Sequence, residues 1–156
     1  MTVRKSGVWA VVVMLGLLYV LYGNAALAQA TERSASSNYI LRCLGCHGAN
    51  GAGAANTGIP AFPGLVDPLY ATEEGRTYLV HVPGVAASGL NTQEIGQVLN
   101  YVAKRWARDP EQVKPFTVEE VRARQAMEVK DIVALRRYLS EHWRAQGVEL
   151  APYPWP

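Results

Sequence analysis

The amino-acid sequence predicts an all-α protein, and three observations lead to that prediction. Apolar residues recur at helical spacing in two long segments, 91–107 and 117–147. Polar residues suited to capping precede several of the expected helices. No segment shows the alternation of apolar and polar residues that is typical of a half-buried strand. We therefore expect helices that are joined by loops rich in glycine and proline.

The first thirty residues predict export from the cytoplasm. Arg4 and Lys5 precede an apolar or small stretch at 7–23, and alanines between 26 and 30 match the A-x-A pattern of a cleavage site. The apolar stretch also approaches the ~20 residues that span a bilayer. The segment 1–30 is thus either a signal peptide or an N-terminal membrane anchor, and both predict a periplasmic protein.

The exported part of the chain is predicted to be electrically neutral. The whole sequence has 15 basic and 13 acidic residues. Arg4 and Lys5 belong to the leader, whereas every acidic residue lies beyond it. A neutral chain lacks the basic surface that binds nucleic acid, so we expect no nucleic-acid partner.

Two short helices are expected after a polar linker at 31–37. The first covers the segment SSNYILRCLGC, with Ser36 or Ser37 as its N-terminal cap. The second runs over roughly 73–81, where glutamates in the first turn suit the helix dipole. The glycine-rich and proline-rich stretch at 48–70 between them predicts irregular structure.

The clearest predicted helix begins after Asn91, because Glu94 follows at the spacing of a capping box. A loop, PGVAASGL, precedes this helix, and Asp109 and Pro110 end it. Its apolar positions define one buried face: Ile95, Val98, Leu99, Val102 and Trp106.

The residues beyond 108 predict a charged amphipathic extension. Thr117 and Glu120 form a second expected capping box. The segment that follows is either one helix or two helices broken near 125–127. The last residues, VELAPYPWP, are expected to be extended.

The only two cysteines of the chain lie three positions apart, and a histidine follows the second one. Cys43, Cys46 and His47 match the C-x-x-C-H pattern of covalent haem attachment. In this chemistry the two sulfur atoms bond to the vinyl groups of the porphyrin, and the histidine binds the iron. The sequence therefore predicts one covalently bound haem c.

Four other interpretations explain this pattern less well. A helical pair at i and i+3 lacks the orientation of a relaxed disulfide. A thioredoxin-type dithiol uses an α/β setting, which this sequence does not show. A zinc site needs four ligands, and two of the candidates in this chain are sequence neighbours that do not easily reach one metal. The fourth interpretation is chance occurrence.

Residues 37–107 resemble a class I c-type cytochrome with one haem. The resemblance rests on CLGCHGANGAG, on the proline-bearing segment after it, and on a closing amphipathic helix that contains LNYV. It implies a cytochrome c-like helical fold in which the helices around Tyr39 and Tyr101 cross beside the haem. Residues 31–108 would then form the cytochrome domain, and 109–156 a C-terminal helical extension.

The resemblance also implies partners for the iron ligand. The carbonyl of Pro60 is expected to accept a hydrogen bond from the imidazole of His47, which fixes the orientation of the ring. The sequence departs from the family at the sixth iron position, where LVHVPGVAASGLNTQEI contains no methionine. His81 lies next to the expected place, Met127 in the extension is a second candidate, and an open or water-bound position is the third.

Three functions follow from these expectations. The first is a periplasmic one-electron carrier, or an electron-transfer subunit of a redox complex, which is not an enzyme and works with redox partner proteins. The second is a five-coordinate haem protein that binds a gas or peroxide at an open sixth position. In the third, the region 110–156 docks the cytochrome on a dehydrogenase or a membrane complex.

Overall fold

The computed structural model describes residues 13–15 and 33–153. Within these ranges the chain is helical and has no β-strand, apart from a single bridge between Ala54 and Ile59. The prediction of an all-α protein is confirmed. The prediction of a signal peptide or membrane anchor lies outside the described residues, except that 13–15 are helical. Among the described helices, none is both long and apolar enough to cross a bilayer.

The compact unit that contains helices α1 to α8 begins at Ser34. Helix α1 spans Ala35–Arg42, and the side chain of Ser34 caps it by accepting a hydrogen bond from the Ser37 amide at 3.1 Å. The prediction of Ser36 or Ser37 as the cap was wrong by at least two positions. Ser34 is the serine with extended backbone angles, whereas the other two already belong to the first helical turn.

One short helix precedes the glycine-rich loop and three follow it. Helix α2, before the loop, spans Leu44–His47. After the loop, α3 spans Asp67–Ala71, α4 spans Glu73–His81 and α5 spans Pro83–Ala86. The prediction for α4 is confirmed. The sequence analysis missed α3 and α5, each of which has a proline near its start, where proline is compatible with a helix.

Helix α6 spans Thr92–Trp106 and carries the predicted buried face. Its capping box is complete, because the Glu94 amide donates to Asn91 Oδ1 at 2.9 Å and the Asn91 amide donates to Glu94 Oε2 at 3.0 Å. Helix α1 packs against α6: the rings of Tyr39 and Tyr101 are 5.5 Å apart, and Asn38 Nδ2 donates to Glu94 at 3.3 Å.

The C-terminal extension contains two helices rather than one. Helix α7 spans Val118–Gln125 and α8 spans Ile132–Arg144. Thr117 caps α7 as predicted, by accepting from the Glu120 amide at 3.2 Å. The second half of the predicted capping box, a hydrogen bond from the Thr117 amide to the Glu120 carboxylate, was wrong. The Glu120 carboxylate binds two arginines instead. Residues 148–153 lie outside any helix, as expected.

Buried charges join the extension to the core at α4. The guanidinium of Arg76, 3% exposed, donates to both carboxylate oxygens of Glu120, at 2.6 and 2.7 Å, and lies 3.9 Å from the centre of the Phe116 ring. Arg124, 4% exposed, also donates to Glu120 at 2.9 Å and reaches Glu73 on α4 at 2.7 Å. Glu120 is therefore the anion that neutralises two buried cations.

The charge of Glu120 makes this network sensitive to pH. Hydrogen bonds from Arg76 lower the pKa of Glu120 from its ordinary value of 4.5 to about 2, against the opposing effect of burial. Because this pKa is lower in the folded state, the network stabilises the fold fully above pH 4.5. This contribution is lost as the pH falls from 4.5 towards 2.

We predict that Glu120→Gln lowers the free energy of unfolding at pH 7 by roughly 3–5 kcal/mol, because it leaves the buried guanidinium of Arg76 without a counter-charge and that of Arg124 with Glu73 alone. Urea unfolding measures this difference, which should shrink as the pH is lowered below 4.5. Glu119→Gln, at the exposed neighbouring position, is the matched control and should change the value by less than about 0.5 kcal/mol. Equal effects of the two substitutions would contradict the assignment.

Candidate functional site

The C-x-x-C-H motif forms a single helical turn between α1 and the glycine-rich loop. Cys43 ends α1 and precedes α2, because its backbone angles of −123° and −33° interrupt the helix. The amides of Cys46 and His47 both donate to the Cys43 carbonyl, at 3.2 and 2.9 Å. This turn places the two thiols and the imidazole on one short, hydrogen-bonded segment.

Both cysteines are free thiols in the structure. Cys46 is exposed and Cys43 is partly buried. Burial, with a smaller contribution from the neighbouring Cys46, raises the pKa of the Cys43 thiol above its ordinary value. Cys43 is therefore protonated at neutral pH, and the predicted attachment residues are both present as unpaired thiols.

The imidazole of His47 is oriented by a backbone carbonyl. Its Nδ1 atom lies 3.1 Å from the carbonyl oxygen of Pro60, the contact that the resemblance implied. Because a carbonyl only accepts, Nδ1 carries the proton and Nε2 is left with its lone pair. Within the described residues, no hydrogen bond engages Nε2. Phe62 stacks on one face of the ring, with the ring centres 4.1 Å apart.

The environment of His47 also favours the neutral imidazole. Burial lowers its pKa, and this effect outweighs the hydrogen bond to Pro60, which raises it. A neutral ring with a free Nε2 atom is the form of histidine that binds metals.

The glycine-rich loop brings Pro60 back to the motif. The amide of Gly53 donates to the His47 carbonyl at 3.0 Å, and Ala54 and Ile59 then exchange two backbone hydrogen bonds, at 3.0 and 3.1 Å. Gly53 has a φ of +64°, and a Cβ atom there would collide with the carbonyls of Ile59 and Pro60. Only glycine at this position lets the chain return close enough for the contact between Pro60 and His47.

An aromatic cluster supports the loop from the side of α6. The indole of Trp106 lies 5.1 Å from the Tyr39 ring and 5.4 Å from the Phe62 ring, measured between ring centres. Gly51 packs directly on this indole, since a Cβ atom on it would lie 2.7 Å from Cε2 of Trp106. The sequence analysis did not single out Phe62, although an aromatic residue two positions after Pro60 was the available signal.

The surface beside the motif is apolar and exposed. Ile40 and Leu41, at the end of α1, are 59% and 58% exposed, and Leu44 between the two cysteines is partly buried. Neighbouring exposed aliphatic side chains are unfavourable in water unless something covers them. Residues 40–47 thus combine exposed aliphatic side chains with two thiols and an imidazole whose Nε2 atom is available.

The two candidates for the sixth iron position lie at the contact between α4 and the extension. The Nδ1 atom of His81 is 2.9 Å from the Thr77 carbonyl, and its Nε2 atom is 3.1 Å from the Met127 carbonyl. The Met127 sulfur is 3.7 Å from the Thr77 hydroxyl. Among the described residues, no hydrogen bond or ring contact joins His81 or Met127 to the motif. Iron binding by His81 would require one of its two ring nitrogens to move away from its backbone carbonyl.

A scan of known protein families finds no match to this chain. A search among curated proteins likewise finds no relative.

We predict that Gly53→Ala destabilises the protein much more than Gly89→Ala. Both glycines have a positive φ, but a Cβ atom at Gly89 meets no atom within 4 Å, whereas one at Gly53 meets two carbonyls. The steric conflict should cost about 1–3 kcal/mol beyond the backbone strain that the two variants share. Urea unfolding of both variants measures the difference. If the two variants lose equal stability, Gly53 does not control the return of the chain to His47.

Proposed function

We propose that this chain is an exported monohaem c-type cytochrome with a cytochrome c-like helical fold, and that it transfers single electrons. The observation that carries the proposal is the orientation of His47 by Pro60, on a helical turn with two free thiols. The haem supplies an iron that changes its charge by one without breaking bonds to its ligands.

Each residue of the motif has a defined role in this proposal. Cys43 and Cys46 would hold the porphyrin through thioether bonds, and Nε2 of His47 would bind the iron. Pro60 fixes the ring of His47 and increases the basicity of its ligand atom. Phe62 packs on the imidazole and excludes water from that face.

The packing of the core supports the proposed fold. In class I cytochromes the first and last core helices cross beside the haem, and here α1 packs on α6 through Tyr39, Tyr101 and Trp106. A rigid shell of this kind suits electron transfer, because little rearrangement accompanies the change in iron charge. A periplasmic location, which follows from the predicted leader at 1–30, and exchange of electrons with redox partner proteins are parts of this proposal.

A second candidate function is favoured by the position of His81. Both of its ring nitrogens face backbone carbonyls, so neither is available to the iron without a rearrangement. An open sixth position would admit a small ligand such as carbon monoxide, nitric oxide or peroxide. In that case the protein is a five-coordinate haem protein that senses or transforms this ligand.

We predict that Cys43→Ser and Cys46→Ser each lose most of the covalently bound haem, and that the double variant loses all of it. Each substitution removes one of the two sulfur atoms that form thioether bonds. The measurement is haem staining of the denatured protein after export alongside a haem-ligation apparatus. Gly45→Ala is the matched control within the motif, because its added Cβ atom meets no protein atom within 4 Å. Haem that stays bound to the denatured double variant would contradict the proposed attachment.

We predict that His81→Ala leaves the absorption spectra of the oxidised and reduced protein unchanged, because His81 is held by Thr77 and Met127. His142→Ala, on α8 and bonded to Gln146, is the control for loss of a histidine. A change of spectrum in His81→Ala alone would show that His81 binds the iron. Addition of carbon monoxide to the reduced wild-type protein separates the two functions, since rapid binding favours the second.

A further inference from the structure

A groove lies between helix α4 and the extension, away from the residues of the motif. Its volume is about 410 Å³, and its apolar lining comes from Met127, Val129 and Leu135. Met127 is 49% exposed, so about half of this apolar side chain contacts solvent. The groove therefore offers an apolar contact surface that the chain itself leaves open to solvent.

The rim of this groove is negatively charged. Glu73, Glu74 and Glu128 line it, and all three are exposed. Arg124 is the one cation among the described residues that line the groove, and its side chain is only 5% exposed. Its charge is already neutralised by Glu120 at 2.8 Å and by Glu73 at 2.7 Å. The exposed charges among the described residues that line the groove are therefore all negative.

Two of these carboxylates are available to an incoming group. Among the described residues, neither Glu74 nor Glu128 has an ion-pair partner, and they line the groove from two different elements, α4 and the connection from α7 to α8. A lysine or arginine side chain has a charged end and an apolar stem. Such a side chain suits a groove that is lined by both Met127 and free carboxylates.

We propose that this groove, defined by Met127, Val129, Leu135, Glu74 and Glu128, docks a partner protein that presents a lysine or arginine flanked by apolar residues. The occupant is argued from charge complementarity: the exposed charges of the groove are acidic, and its lining is apolar. The proposal extends the proposed function, because a redox partner held on the extension would be brought to the cytochrome core.

The methyl group of Met127 provides a direct measurement of occupancy. The chain has three methionines, and two of them are in the leader, so a ¹³C-methyl spectrum of the full-length protein assigns Met127 by comparison with Met127→Leu. The probe is a synthetic amphipathic peptide of leucine and lysine. The control probe is a peptide of the same length and pattern, made of leucine and glutamate.

We expect the leucine–lysine peptide to shift the Met127 methyl signal in a saturable way, and added salt to weaken this binding. Glu74→Gln and Glu128→Gln should each weaken it about two- to fivefold, as removal of one exposed charge pair does. Glu111→Gln and Glu141→Gln, at exposed positions outside the groove lining, are the controls and should leave the affinity unchanged.

Several outcomes would overturn the proposal. One is an equal shift with both peptides, another is an equal loss of affinity in the control variants, and a third is no shift at Met127. A shift that depends on protein concentration without any peptide would identify a second copy of this chain as the occupant, which also contradicts the proposal. The Met127 methyl signal does not depend on haem. The docking proposal can therefore be contradicted while haem attachment is supported, and haem attachment can be contradicted while docking is supported.

Discussion

The hydrogen bond between His47 and Pro60 is the contact on which the candidate site depends. It fixes the proton on Nδ1 and leaves Nε2 with its lone pair, so the orientation of the ring and its capacity to bind a metal have a single cause. Two features of the loop make this bond possible. Gly53 allows the chain to turn back towards His47, and Gly51 and Phe62 pack against Trp106. The glycine-rich loop is therefore part of the site, although none of its side chains carries chemistry.

The C-terminal extension depends on a different kind of interaction. It is joined to helix α4 by buried arginines that share the carboxylate of Glu120, and loss of that carboxylate would leave a buried charge uncompensated. The same junction holds His81 between two carbonyls and forms one side of the acidic groove. One contact region thus affects two properties of the proposed cytochrome, the state of its sixth iron position and the surface it offers to a partner.

Much of the fold could be predicted from the sequence, because the long helices carry their own signals. The buried face and the capping box of α6 follow from local spacing alone, and the structure contains both. The N-terminal cap of α1 could not be chosen among three nearby serines, since that choice depends on backbone angles that the sequence does not specify. The network around Glu120 was also not predictable, because its partners Arg76 and Arg124 meet only after the extension folds on α4.

The part of the candidate site that is local in sequence was also predictable. The motif is local, so its residues and their order were readable, and the carbonyl of Pro60 followed from the family resemblance. The contact of Phe62 with Trp106 and that of His81 with the Met127 carbonyl join residues that are distant in sequence, and local spacing does not indicate these pairings. In the proposed cytochrome, the contact of His81 with the Met127 carbonyl would affect whether His81 reaches the sixth iron position.

The most direct test of the account is the intact mass of the exported protein made alongside a working haem-ligation apparatus. The account predicts a mass equal to the polypeptide plus one haem, with no thiol left to react with an alkylating reagent. A mass equal to the bare polypeptide, with two reactive thiols, would contradict it.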